Sequence, residues 1–335
     1  MKLSDTAGLE SPDKKKKIKG NIAFEAIGLF VFYMAITLFF SASTENFFST
    51  SNALNILDNA SVLGIVAIGQ TFALITGGFD LSVGGIVPLG AVMFVVFSNS
   101  GIDPYTSILL VILIGGLVGF INGVFITRFK INPLITTLAT LSITAGLAKV
   151  ITGGLTTILE DLDAAVLAGR NAGVPNHVWI LAVLAVLGFY TLKYTKFGRS
   201  LYAMGGNKEA SRLAGIRVDL TTVIVYIICG VLAAFAGIVL ASQLMAGSGT
   251  MGSTYNLDSI TAVILGGGSL TGGQGGVIGT IVGVLILGTL SNGMAIMQVQ
   301  TFYQEIVTGI VLLLAVNFNN IRAAWINKIQ NKRGK

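Results

Sequence analysis

Few residues in this chain could make or break bonds. It contains one histidine, His177, and one cysteine, Cys229. A lone cysteine excludes an intrachain disulfide, a multi-cysteine metal site and a CxxC redox pair, and a lone histidine argues against a zinc site or a histidine-based triad. His177 stands beside Pro175 and Trp179, where a position at the membrane–water interface is expected. Cys229 falls within an apolar run, where a small packing residue is expected. A glycine- and hydroxyl-rich segment, Gly266 to Gly276, resembles a phosphate loop in composition, but a nucleotide P-loop needs Gly-Lys-Ser/Thr and that tripeptide occurs nowhere. The chain carries no recognisable ATPase and is not read as an enzyme. What remains is the chemistry of contact: carboxylates, amides and hydroxyls set in apolar sequence, Asp80 first among them.

The elements that position these groups must be helices in lipid. Hydrophobic residues make up 53% of the chain and charged ones 11%, with a mean hydropathy of +0.82, far from the soluble average of about a quarter charged. Spanning helices need roughly 20 mostly apolar residues, and open sheets are excluded because unpaired amides find no water there. The expected fold is an all-α integral membrane bundle of about ten spans. They fall near 22–40, 56–76, 81–97, 107–127, 133–151, 178–194, 220–242, 256–267, 275–296 and 302–318, the eighth being short. With a cytoplasmic N-terminus, 19 of the 21 basic residues fall on the cytoplasmic side, leaving Arg170 outside and Lys149 at a span end. Ten spans also return the C-terminus to the cytoplasm. The first run is too long for a signal-peptide core and reads as a retained anchor. Residues 1–20 are expected to form a disordered basic tail, 21–319 the membrane domain, and 320–335 a second basic tail. The lysines near the N-terminus fit a topology signal facing anionic membrane lipid, not nucleic-acid binding.

Glycine, present 43 times, is unevenly spread. Gly115, Gly119 and Gly123, and again Gly275, Gly279 and Gly283, recur every four residues, which lets helix backbones approach closely. Packing within the chain is the expected use. Two other clusters break apolar sequence: Gly77, Gly78, Asp80, Ser82 and Gly84 between the second and third spans, and Gly267, Gly268, Gly272 and Gly273 after the eighth. Broken or re-entrant helices are tolerated in membranes where they line a cavity or pack within protein, so both clusters read as gating or pathway turns. Asp80 has two readings, a cap for the helix that follows and a role in gating or solute contact. Asn59, Gln70, Asn122, Thr136, Asn292 and Gln298 lie in or beside spans. They suit either contact with a hydroxyl-rich solute or interhelical hydrogen bonding.

Residues 194–219 differ from everything around them. Asn207 suits an N-cap, Lys208 to Ala214 suits a helix, and Gly215 suits a left-handed stop. Two turns of helix cannot stand alone, so this one is expected to dock, preferably into a partner through Ala210, Leu213 and Ala214.

Glu209-Ala210-Ser211 followed by Gly215 resembles the Glu-Ala-Ala-x-x-x-Gly coupling motif of bacterial ATP-binding-cassette importer permeases. FGRSLYAMGGNKEASRLAGI, GGFDLSVGG, RFKINPLITTLAT and LGGGSLTGGQGGVIGT are similar to blocks of the permeases for ribose, xylose, arabinose, galactose and related monosaccharides. The likeness covers about residues 22–320. Ser211 replaces the second alanine of the motif, and the Leu-Pro of other importer classes is missing. The resemblance implies a multi-pass permease of the bacterial cytoplasmic (inner) membrane. Two such subunits, identical or paralogous, would form the path, and an external binding protein would deliver the sugar. A separate ATPase would hold nucleotide and magnesium and grip Asn207, Lys208, Glu209, Ala210, Ser211, Arg212, Leu213 and Gly215. An acidic outer face, Glu45, Asp58, Asp103, Glu160, Asp161, Asp163, Asp258 and Glu305, would either meet basic residues of the binding protein or simply be solvated. The rival reading, an ion-coupled secondary transporter or a channel, calls for ionisable residues well inside spans. The sequence instead sets its charges at span ends.

Overall fold

The computed structural model describes residues 12–45, 47–160 and 167–314, with side chains from residue 28 onward. It is helical almost throughout. In order the helices are α1 (Pro12–Ser43), α2 (Thr50–Ile75), α3 (Val83–Asn99), α4 (Pro104–Thr127), α5 (Pro133–Thr152), α6 (Asn176–Tyr194), α7 (Lys196–Gly206), α8 (Lys208–Leu213), α9 (Val218–Leu244), α10 (Tyr255–Leu265), α11 (Val277–Ile296) and α12 (Thr301–Leu314). Each expected span overlaps a helix, and residues 315–318 of the last one lie outside the described residues. Six of them, α2, α4, α5, α6, α9 and α11, are long and apolar enough to cross a membrane.

Local sequence sets the helix starts. Ser49, Asp103, Asn132, Thr195 and Asn207 cap α2, α4, α5, α7 and α8 through their side-chain oxygens, each satisfying an amide that the first turn leaves free. Pro104 and Pro133 then occupy first helical positions, where no amide partner is lost. Pro88 lies inside α3, where it removes one intrahelical bond.

Packing separates helices that hydropathy alone treats alike. In the most apolar stretch of α2, 78% of residues are buried, against 22% in α5 and α6. Helix α2 is therefore the central post, and α5 and α6 turn Ile135, Ile143, Val183 and Val186 outward, as lipid contact allows. The glycine stripes pack within the chain. Gly119 of α4 faces the Tyr226 carbonyl of α9, and a methyl group at Gly123 would lie 2.7 Å from Val223 Cα. Gly279 and Gly283 of α11 face Gly266 and Ala262 at and beside the end of α10 in the same way.

Some expectations need amendment. Helix α1 begins at Pro12, ahead of the boundary at residue 20, because proline suits a first turn and lysine is a good helix former; residues 1–11, and the C-terminal tail 320–335, lie outside the described residues. The bundle is helical as expected, and two-residue pairs tie its connecting segments: Thr157–Ile158 (β1) with Ala246–Gly247 (β4), and Arg170–Asn171 (β2) with Val174–Pro175 (β3). The 194–219 segment carries two helices, α7 as well as α8. His177 is buried within the chain, 2% exposed, with its Nδ1 2.8 Å from Asp58 Oδ1. Asp58 is thus engaged with His177, and Asp258 accepts from Thr254 at 2.8 Å. Glu45, Asp103, Glu160 and Glu305 are exposed, while Asp161 and Asp163 lie outside the described residues.

Candidate functional site

The break between α2 and α3 is built from a buried polar chain. Asp80 is 0% exposed. Its Oδ1 accepts from the Ser82 amide at 2.9 Å and from the Ser82 hydroxyl. It thus closes a turn just ahead of α3 rather than capping the helix directly, since the cap position is Ser82 itself. Ser82 Oγ in turn accepts from Asn122 Nδ2 of α4 at 2.9 Å, and Asn122 Oδ1 accepts from Thr140 Oγ1 of α5 at 2.6 Å. Behind Asp80, the Gln70 amide of α2 spans its backbone. In the orientation that satisfies both groups, Gln70 donates to the Asp80 carbonyl and accepts from the Asp80 amide, each at 3.2 Å. A broken helix in lipid leaves backbone groups without partners, and Gln70 supplies them. Asp80 Oδ2 has no hydrogen-bond partner among the described residues.

Directly beside this lies a joint of glycines. A methyl group at Gly205, near the end of α7, would overlap the Ile75 carbonyl and lie 2.8 Å from Gly273 Cα. One at Gly272 would lie 2.7 Å from the Gly77 amide and 3.1 Å from Gly205 Cα. Gly273 N donates to the Ile75 carbonyl at 2.8 Å, and the Tyr202 hydroxyl donates to the Gly275 carbonyl at 2.9 Å. The two glycine-rich turns, separated by about 190 residues of sequence, therefore meet each other and α7 with backbone against backbone. Side chains between them would hold them apart.

Helix α8 follows immediately. Asn207 Oδ1 accepts from the Ala210 amide at 2.9 Å. At the other end Gly215, with φ +84°, donates to the Arg212 carbonyl while Ile216 donates to that of Ser211, both at 3.0 Å. Those paired bonds define a Schellman stop. Ser211 is buried and donates to the Asn207 carbonyl, whereas Leu213 is 90% exposed. Arg212 pairs with Glu209 at 2.9 Å and with Asp219 of α9 at 3.2 Å. Exposed pairs of this kind orient a helix more than they stabilise it. The result is a rigid two-turn knob with an apolar side chain held outward.

The structure brings together Gln70, Asp80, Ser82 and Asn122, and separately Gly77, Gly272 and Gly273. It leaves other sequence candidates scattered. Asn59 and Gln298 are exposed at distant points of α2 and after α11, Asn292 is half-buried, and the Thr136 hydroxyl bonds back to Asn132 within its own helix. Gly78 packs near the Tyr226 hydroxyl, Gly84 against the Ser253 carbonyl and Gly268 against Val263, while Gly267 has open space around it. Thr140, Tyr202 and Gly205 were not foreseen. Their signal lay in residues that face a break without breaking a helix themselves.

Comparison with known proteins bears on what such an arrangement belongs to. Residues 52–316 match the family described as branched-chain amino acid transport system / permease component. The ribose import permease protein RbsC of Escherichia coli (strain K12) is 38% identical over 285 residues, 84% of this chain and 89% of that protein. Its namesake in Bacillus subtilis (strain 168) is 38% identical over 314 residues, 93% and 98%. The L-arabinose transport system permease protein AraH of Escherichia coli (strain K12) is 35% identical over 323 residues, 96% and 98%. No solved structure matches the chain significantly. The family description is broader than these relatives, whose names concern sugars. With a match over most of the chain and relatives aligned along nearly their whole length, the chain belongs to this family of multi-pass transport-system permease components.

Proposed function

We propose that this chain is the permease subunit of an ATP-driven importer that carries a simple sugar, ribose or a related pentose or hexose, across the bacterial inner membrane. Relatives named for ribose and L-arabinose support the solute class. The broken helices α3 and α10, together with α1 and α12, would complete ten membrane segments, with both termini and α7–α8 on the cytoplasmic side. A second copy, or a paralogue, would complete the pathway. An external binding protein would supply the sugar, and a cytoplasmic ATPase would hold nucleotide and magnesium.

One observation carries the reading: Leu213 is held 90% exposed on a doubly capped helix that leads through α7 into the glycine joint. A partner gripping α8 would push Gly205 against Ile75 and Gly273, where both helix breaks converge, and so bias two states of the bundle. An ion-coupled secondary transporter would need an ionisable group at depth. Asp80 is one, but it is bonded to Ser82 within the turn between α2 and α3, and relatives of the chain are named as import permeases. A detergent pull-down of the tagged chain from native membranes, wild type beside Glu209→Arg, tests the proposal by mass spectrometry. An ATPase retained by the wild type and lost from the variant is the expected result. A well-folded wild type that reproducibly carries no ATPase overturns the proposal.

A further inference from the structure

A cavity of about 400 Å³ opens where the end of α6, the first turns of α7 and the start of α11 meet. Its wall is of two kinds. Phe189, Leu192 and Ile278 form an apolar side, while Lys193, Arg199 and Tyr202 form a polar one. Ile278 is 63% exposed on a helix apolar enough to cross the membrane, so the apolar side continues onto a surface facing acyl chains. Neither Lys193 nor Arg199 enters an ion pair among the described residues. Lys193 Nζ instead rests 5.0 Å from the centre of the Phe189 ring and 5.4 Å from that of Tyr194, which fixes the cation at the cavity edge. Among the described residues, no acidic side chain lines the cavity.

Two unneutralised cations above a lipid-facing apolar wall complement one kind of occupant. We propose that this groove binds an anionic phospholipid, its phosphate headgroup against Lys193 and Arg199 and an acyl chain along Phe189 and Ile278. A neutral headgroup would leave the cations uncompensated, and a free anion would leave the apolar wall unused. Basic pockets between membrane helices recognise anionic lipid by this combination. The lipid would brace α7 beside its contact with the turn before α11, and so stiffen the segment that bears α8. The inference concerns the lipid alone and holds whatever solute is transported.

The test uses the purified full chain, native mass spectrometry and thermal unfolding in micelles supplemented with phosphatidylglycerol or phosphatidylcholine. The wild type is expected to retain phosphatidylglycerol at least about fivefold more than phosphatidylcholine and to melt at a higher temperature with it. Lys193→Gln with Arg199→Gln should abolish both differences, while Arg128→Gln with Lys130→Gln, removing equal charge elsewhere, should leave them. Ile278→Trp, which fills the apolar side without touching charge, should also weaken retention. Equal loss in both charge pairs means general attraction to anionic lipid and overturns the proposal. Displacement of phosphatidylglycerol by millimolar inorganic phosphate, with Ile278→Trp silent, means a free-anion site and overturns it as well.

Discussion

Gly205 of α7 and Gly273, in the turn before α11, sit so close that a methyl group on Gly205 would reach within 2.8 Å of Gly273 Cα and overlap the Ile75 carbonyl. The next residue, Gly206, has nothing within 4 Å of where its own methyl group would stand. That contrast gives a paired experiment. Gly205→Ala should destabilise the protein by about 1–3 kcal/mol through overpacking and reduce sugar uptake at least about tenfold. Gly206→Ala should leave uptake intact and gain up to about 1 kcal/mol of helix stability. Melting temperature and uptake in cells, measured on both variants, check the contrast.

Helix α8 separates folding from docking. Leu213→Lys changes a side chain that is 90% exposed, so stability should stay within about 0.5 kcal/mol while uptake and ATPase co-purification are lost. An equally active Leu213→Lys protein would show that the helix is gripped elsewhere or not at all.

The caps of α8 should matter through rigidity. Asn207→Ala removes the acceptor for the Ala210 amide, worth about 1 kcal/mol, and Gly215→Ala places a side chain at φ +84°, costing about 1–2 kcal/mol. Hydrogen exchange at the amides of 209–216 should quicken about fivefold or more in each variant, with the spans unchanged.

Asp80 can be divided into its two roles. Asp80→Asn retains an oxygen for the Ser82 amide but loses the charge, so the protein should insert normally and transport at least about fivefold more slowly. Normal transport by a normally expressed Asp80→Asn would reduce the residue to a turn former. Asn122→Leu removes the link between Ser82 and Thr140, which keep their bonds to Asp80 and to the Thr136 carbonyl, and should cost about 0.5–1.5 kcal/mol, read as a lowered melting temperature.

At the far end of α2, His177 ties α6 to Asp58. His177→Ala removes a ring that is 2% exposed and leaves the Asp58 carboxylate without that partner. A loss of about 1–3 kcal/mol is expected, measured by thermal unfolding, with ATPase binding at α8 unaffected.

The sequence by itself determined the class of this protein and nearly every helix, because a bilayer penalises unpaired backbone so heavily that apolar length alone marks the elements. It also determined α8, since Asn207 and Gly215 act on residues within one turn of themselves, and it pointed to both glycine turns as places where helices stop. Tertiary structure decided what those features meet. Nothing local in Gly205 announces that it must fit between Ile75 and Gly273, nor in Gln70 that it spans the Asp80 backbone, because contacts between distant segments leave no periodic mark. The burial of His177 followed the same rule: nothing in its neighbours Pro175 and Trp179 announces the partner it meets, Asp58, which lies more than a hundred residues away. Helix α7 escaped notice because a short run containing three glycines has weak helix propensity. Its packing against α6, α2 and α9 supplies the stability that its own sequence lacks.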